Sequence, residues 1–223
     1  MHESLVRRAE VHAALGDPVR LAIADLLVCS DRSPGEIASL MGLASNLLAH
    51  HLGVLEAAGV VQRSASASDG RRKYVRLAIA DLAAFLGQPR PPDHVLFLCT
   101  RNSARSQLAA ALWTARTGYP ATSAGTDPAP RIHRGALAAA RRARIPMEDA
   151  APALLAHIPA RAQVITVCDR AHERLRPPQE WWHWSVVDPT DTPTAAGFDR
   201  ALHELDRRIA MFTGFATHLK ESR

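Results

Sequence analysis

The stretch "VLFLCTRNSARSQLAAALW" (residues 95–113) decides how the larger part of this 223-residue chain is read. Four apolar residues run into Cys99, five small or polar residues follow, and Arg105 opens an alanine- and leucine-rich run. A short apolar run reads as a buried strand and the later periodicity as a helix over about 103–117, so residues 100–104 form a sharp strand-to-helix turn. Such a turn aims backbone N–H groups at one point, where the helix dipole also favours an anion. That field favours the thiolate of Cys99 and predicts a lowered pKa and a nucleophile. Arg105, six residues on, offers a planar fork of donors to a tetrahedral oxyanion. Thr100, Arg101, Asn102, Ser103, Ala104 and Ser106 complete the oxyanion-binding loop, with Ser103 and Ala104 small enough for the backbone to wrap closely. The chemistry also needs a proton donor, and Asp188, in "SVVDPTDTP", stands at the end of a later apolar run.

Outward from this loop, apolar runs alternate with helical patterns. "HVLFLC", "ATSAGT", "AQVITVC" and "WWHWSVV" read as strands, with helices over 103–117, near 133–144 and 150–156, and over 195–220. This alternation predicts an α/β domain with a four-stranded parallel sheet covered on both faces. Sites in such sheets lie beyond the carboxyl ends of the strands, and Cys99 and Cys168 each close a strand there.

Upstream, "FLGQPRPPDH" (85–94) carries three prolines and a glycine and reads as a linker. The expected organisation is a first domain over 1–86, a linker over 87–93 and a second domain over 94–223. In the first domain, "HAALGDPVRLAIADLLVC" places Leu15, Val19, Ile23, Leu26 and Leu27 on one helical face, with Gly16-Asp17-Pro18 as the break that starts the helix. "SPGEIASLMG" is a short helix with Ser33 as its N-cap, and "ASNLLAHHLGVLEAAG" a longer one ended by Gly59. "VVQRSASASDGRRKYVRL" offers two β arms around Ser68-Asp69-Gly70. The order is helix, short helix, turn, helix, hairpin: a mainly α winged helix-turn-helix with a β-hairpin wing.

Bulk properties bound the function. Apolar content is 47% and charged content 22%, ordinary for a folded chain. No apolar run nears the roughly 18 residues that span a bilayer, and the N-terminus lacks a secretory core, so a cytoplasmic protein with no membrane partner is expected. Cysteines at 29, 99 and 168 are too few and too scattered for a disulfide framework. Residues 1–86 hold nine basic and nine acidic side chains, so the whole net charge of +5 lies in the second part.

"LCTRNSARSQ", with "TSAGT", "ITVCD" and "VVDP" in the same order, resembles the low-molecular-weight protein tyrosine phosphatase family, and within it the arsenate reductase branch, over about residues 93–217. The resemblance implies Cys99 as nucleophile, Arg105 as oxyanion clamp, Asn102 and Ser106 as supports of the loop and thiolate, and Asp188 as general acid. Arg101 stands where the family usually has glycine, a bulk that fits only with negative φ and an outward side chain. Thioredoxin-linked reductases carry a resolving pair of cysteines. Cys168 matches the first member and is a candidate resolving thiol, against plain packing; "DRAHERLRP" offers no second. The resemblance therefore implies a low-molecular-weight, mycothiol-like thiol as co-substrate and a mycoredoxin-like reductant, with no bound cofactor.

The first domain resembles the ArsR/SmtB family of winged-helix repressors over about residues 10–80. That implies a homodimer on operator DNA, its recognition helices near 45–57 in successive major grooves. Ser45, Asn46, His50 and His51 are candidates for base or phosphate contact, and Arg71, Arg72 and Lys73 on the wing for the phosphate backbone. Trivalent arsenic prefers three thiolates. Cys29 stands alone in this domain, so no metal site is expected. The leading expectation is an arsenic-resistance fusion of DNA-binding regulator and arsenate reductase, taking arsenate or phosphate as its oxyanion. A protein tyrosine phosphatase with the same loop and a non-enzymatic oxyanion-sensing regulator remain open.

Overall fold

A computed structural model describes residues 2–78, 89–147 and 150–213. The chain divides into two compact units, Met1–Gln88 and Pro89–Arg223.

The first unit opens with α1 (His2–Leu15), a helix the sequence pattern did not announce. Asp17 then caps α2 (Pro18–Cys29) by accepting from Arg20 N at 3.0 Å, with Pro18 in the first turn where its missing N–H costs nothing. Helix α2 buries Ile23, Ala24, Leu27 and Val28. Helix α3 (Pro34–Met41) starts with a reciprocal cap between Ser33 and Glu36 and ends at Gly42, whose φ of 63° favours glycine. Across residues 42–44 the path bends by 113° into α4 (Ser45–Ala57), within the range of a helix-turn-helix. Gly59, at φ 68°, turns the chain into strand β1 (Val61–Ala65), which pairs antiparallel with β2 (Lys73–Leu77) from Val61–Leu77 to Ala65–Lys73. Arg32 adds a third backbone segment by bridging Val75. The unit is a winged helix-turn-helix whose core holds Ile37, Leu48, Leu52, Leu55 and Tyr74.

The second unit centres on β3 (Val95–Cys99), buried along its whole length. It lies between β4 (Ala121–Gly125) and β5 (Gln163–Thr166), and β5 pairs with β6 (Trp182–His183). All pairs are parallel, in the order β4-β3-β5-β6. Helices α5 (Arg105–Thr117), α6 (Arg134–Arg142), α7 (Asp169–Leu175) and α8 (Ala195–Thr213) complete the described elements. Phe97 on β3 meets Trp113 of α5 and Trp184 after β6 edge-on and tilted, at centroid separations of 6.0 and 5.6 Å. This aromatic layer packs one face of β3. Leu96 and Leu98, on the other, pack with Ala124, Val164, Leu155, Leu175 and Trp181, so the strand that ends in Cys99 is held from both sides.

Three expectations change. The helix near 150–156 does not form: Ala153 N donates to Asn102 Oδ1 and Leu155 N to the Gly125 carbonyl. Those N–H groups serve the loop and sheet edge rather than a helical ladder, and Pro152 has none to give. The strand over "WWHWSVV" shrinks to Trp182–His183, because only these two residues pair with β5. Helix α7 was not anticipated. The last helix is described to Thr213; the expected remainder to 220, like the Gly87 and Gln88 part of the linker, lies outside the described residues.

Candidate active site and winged-helix surface

The loop from Cys99 to Arg105 sits at the carboxyl edge of the central strand. Asn102 takes a φ of 47°, a left-handed conformation that asparagine tolerates better than most residues, and this folds its own N–H onto Cys99 Sγ at 3.0 Å. The Ser106 hydroxyl lies 3.0 Å from the same sulfur. Asn102 Nδ2 donates to Ser106 Oγ at 2.8 Å and Ser123 Oγ at 2.9 Å. Arg105 is buried; Nη1 donates to the Val186 carbonyl at 3.0 Å and Nη2 to Asp188 Oδ2. Asp188 Oδ1 accepts from Thr190 N and Oγ1, at 2.9 and 2.7 Å. Thus Cys99, Asn102, Arg105, Ser106 and Asp188 converge, although Asp188 comes from 83 residues beyond Arg105.

Outer segments hold the loop in place. Ser103 O accepts from His133 N and Arg101 O from Ala129 N, both at 2.8 Å. Gly125 lies under the loop, where an added Cβ would stand 2.7 Å from the Thr100 carbonyl and 3.0 Å from Asn102 Cβ. Only glycine fits that approach. Arg101 is not left-handed; its side chain points outward and pairs with Asp127 at 2.6 Å. Its bulk therefore leaves the loop intact, and an exposed pair of this kind is worth about 0–1 kcal/mol. Cys168 is buried at the start of α7, with Sγ 3.3 Å from Thr100 Oγ1.

The protonation of Cys99 departs from expectation. Burial pushes its thiol above the ordinary value, and the nearby Cys168 adds to that. Against this act the hydrogen bond from Ser106, the Arg105 guanidinium and the Asn102 N–H. The net direction is up, where the loop's field alone predicts down. A strand end that is 3% exposed hydrates a thiolate poorly, and Arg105 already shares its charge with Asp188.

In the first unit, Ser45, Asn46 and His50 are exposed along α4. His51 is not: it is 7% exposed, and Nδ1 lies 3.8 Å from Asp17 Oδ1. It is a core residue, removed from the candidate DNA contacts by its place on the inner face of α4. Leu47, 45% exposed, shares the outer face with Ser45, Asn46 and His50, an apolar residue off the core periodicity. On the wing Arg71 and Lys73 are exposed, whereas Arg72 donates to Glu36 Oε1 at 3.1 Å and lies over Tyr74. Burial pushes the Cys29 thiol up to about 11, which keeps it protonated at neutral pH. Among the described residues no group of three His, Cys, Asp or Glu could hold a metal ion. No single described helix is long and apolar enough to cross a membrane.

Fold and site together define a winged helix-turn-helix joined to a parallel α/β domain with a cysteine oxyanion loop. Residues 94–223 match the low molecular weight phosphotyrosine protein phosphatase family, and the chain belongs to it. The N-terminal part is 42% identical over 84 residues to an uncharacterized HTH-type transcriptional regulator of Mycobacterium tuberculosis, covering 37% of this chain and 71% of that protein. This places the first unit among HTH-type transcriptional regulators. Among solved structures, an arsenate reductase in the phosphate binding state is 24% identical, with 52% of this chain and 92% of that one covered and a TM-score of 0.46. A homodimeric winged helix-turn-helix DNA-binding domain from Mycobacterium bovis is 30% identical over 38% of this chain and 76% of its own, with a TM-score of 0.35.

Proposed function

We propose that the chain is a DNA-binding regulator fused to a cysteine-dependent arsenate reductase that passes arsenate to a mycothiol-like thiol. The observation that carries the catalytic half is the convergence of Cys99, Ser106, Arg105 and Asp188 on one loop. Arsenate enters the cradle of N–H groups and takes Arg105 from Asp188, which frees the carboxyl group to carry a proton. The Cys99 thiolate attacks arsenic; the As–O bond opposite breaks, and Asp188 protonates the departing oxygen to water. The external thiolate then attacks arsenic and Cys99 leaves, with arsenic still pentavalent. A mycoredoxin-like thiolate next attacks the sulfur of this adduct, giving a mixed disulfide and arsenite, so two electrons pass from sulfur to arsenic.

One observation favours this over phosphoester hydrolysis, and a second favours an external thiol over an internal cysteine relay. The segment after Asp188, "PTDTPTAAGF", carries no tyrosine to grip a phosphotyrosine ring. A second thiol, Cys168, lies buried beside the loop through Thr100, and α7 behind it has no further cysteine to complete an internal relay. The purified chain is given arsenate with mycothiol and mycoredoxin, arsenate with a thioredoxin system, and para-nitrophenyl phosphate. Turnover with mycothiol alone is expected; hydrolysis of the ester without arsenate turnover would make the domain a phosphatase, and silence in all three an oxyanion sensor.

For the first unit, the carrying observation is the 113° bend into α4, whose outer face with Ser45, Asn46 and His50 is exposed, together with exposed Arg71 and Lys73 on the wing. A dimer would set two such helices into successive major grooves of operator DNA. Mobility-shift titration with the DNA upstream of the chain's own reading frame tests it; equal affinity for that duplex and a scrambled one would contradict specific binding.

A further inference from the structure

Gln107 has no part in the chemistry above, yet it is buried on the first turn of α5, directly after Ser106. Its Nε2 donates to Asn102 Oδ1 at 3.0 Å and to the Ala151 carbonyl at 2.8 Å. We propose that Gln107 is a positioning residue for the Cys99 nucleophile, acting through the chain Gln107–Asn102–Ser106–Cys99. The inference rests on the reading of Cys99 as the nucleophile.

The chain has a fixed polarity. Asn102 Oδ1 accepts from Gln107 Nε2 and from Ala153 N, so its Nδ2 must face the other way, where its two hydrogens go to Ser106 and Ser123. The amide is then fully used. Ser106 Oγ, already accepting from Asn102, keeps its one proton available for Cys99 Sγ, 3.0 Å away, and donates it there once the sulfur is a thiolate, which can only accept. A hydroxyl that donates to sulfur favours the thiolate. Were the Asn102 amide to flip, its oxygen would claim the Ser106 proton and the sulfur would lose that donor. Gln107 also anchors the segment 151–155, which Gly125 holds by accepting from Leu155 N and donating to the Ala153 carbonyl. Other groups facing Cys99 are Arg105 on α5, paired with Asp188, the Asn102 N–H and Cys168 at the start of α7. A change at Gln107 alters none of their charges.

The test needs no oxyanion substrate, so it stands even for a chain without arsenate turnover. Iodoacetamide alkylation of Cys99 in the full chain is followed against pH by mass spectrometry of its peptide. Gln107→Met keeps similar bulk and removes both donors; Gln107→Glu is isosteric and serves if the first variant does not fold. Each is made alone and on Ser106→Ala. The expected result is a midpoint raised by about half a unit or more, an alkylation rate at pH 7 lower by about threefold, and a thermal midpoint within about 2 °C. On Ser106→Ala the effect of Gln107→Met disappears, because its route to sulfur is gone. For Gln107→Glu the added charge acts in both backgrounds, and only the difference between them is read. An unmoved midpoint, or an equal shift on Ser106→Ala, overturns the proposal.

Discussion

Gly125 and Cys29 show how single atoms set the behaviour of each unit. A methyl group at Gly125 meets the Thr100 carbonyl and Asn102 together, so the loop must move. Gly125→Ala is expected to cost on the order of 1–3 kcal/mol of stability and to lower kcat/KM by at least about tenfold, read by thermal melting and arsenate turnover. An unchanged kcat/KM would mean that the loop tolerates displacement. Cys29 makes a pH prediction. Its folded pKa is raised from 9.0 to about 11 by burial, so the native state holds the proton more tightly than the unfolded chain. The stability tied to that proton is complete below pH 9 and is lost as pH rises to 11, by up to about 2–3 kcal/mol. Urea unfolding of the wild type and Cys29→Ala at pH 8 and pH 10.5 checks this, with the steeper loss in the wild type; parallel losses would contradict it. At this scale the loop was legible, since Cys99 to Ser106 is a local pattern with its own geometry. The Arg101–Asp127 pair, the Gly125 approach and the burial that lifts the Cys99 pKa were not, because each comes from a segment distant in sequence.

Among the elements, the buried strands β3 and β5 were readable as dense apolar runs, and α5 followed from its loop. Segment 150–156 has helix-forming alanines and leucines, but pairing with Gly125 and Asn102 outweighs propensity that is worth only tenths of a kcal/mol per residue. The run 181–187 looked like a full strand, although only Trp182 and His183 pair; Trp184 packs on Phe97 and Trp181 on the cluster of Leu96 and Leu98. Helix α1 carries exposed Leu5 and Val6 on a weak apolar pattern, and α7 spans only seven residues; neither rises above a loop in sequence. Helix α4 gives the sharpest test of a periodicity reading, because His50 and His51 fall on opposite sides of one surface. His50→Ala is expected to weaken DNA binding by about 1 kcal/mol with an unchanged melting temperature. His51→Ala should instead lower stability by about 1–3 kcal/mol through the lost packing. Mobility shift and calorimetry on both variants decide it, and the reverse assignment would place His51 on the DNA face.

Across the molecule, charge is concentrated rather than spread. Residues 128–147 carry five arginines and a histidine and no acidic side chain, against a net charge of +5 for the chain. Arg131 and Arg134 flank His133, whose N donates to the Ser103 carbonyl, so their charge lies close to the loop that an anion would enter, whereas Arg142 is paired with Asp199. Arsenate kcat/KM should therefore drop several-fold between about 50 and 500 mM salt, with kcat little changed. Salt-independent kcat/KM would remove steering from the account. The central claim is that Cys99 attacks the oxyanion held by its own loop. Arsenate-dependent oxidation of the mycothiol system by the full chain and by Cys99→Ser, with arsenate affinity measured on both, tests it most directly. The account predicts that turnover falls by at least about a thousandfold while affinity stays within about threefold; a Cys99→Ser chain that still turns over arsenate would contradict it.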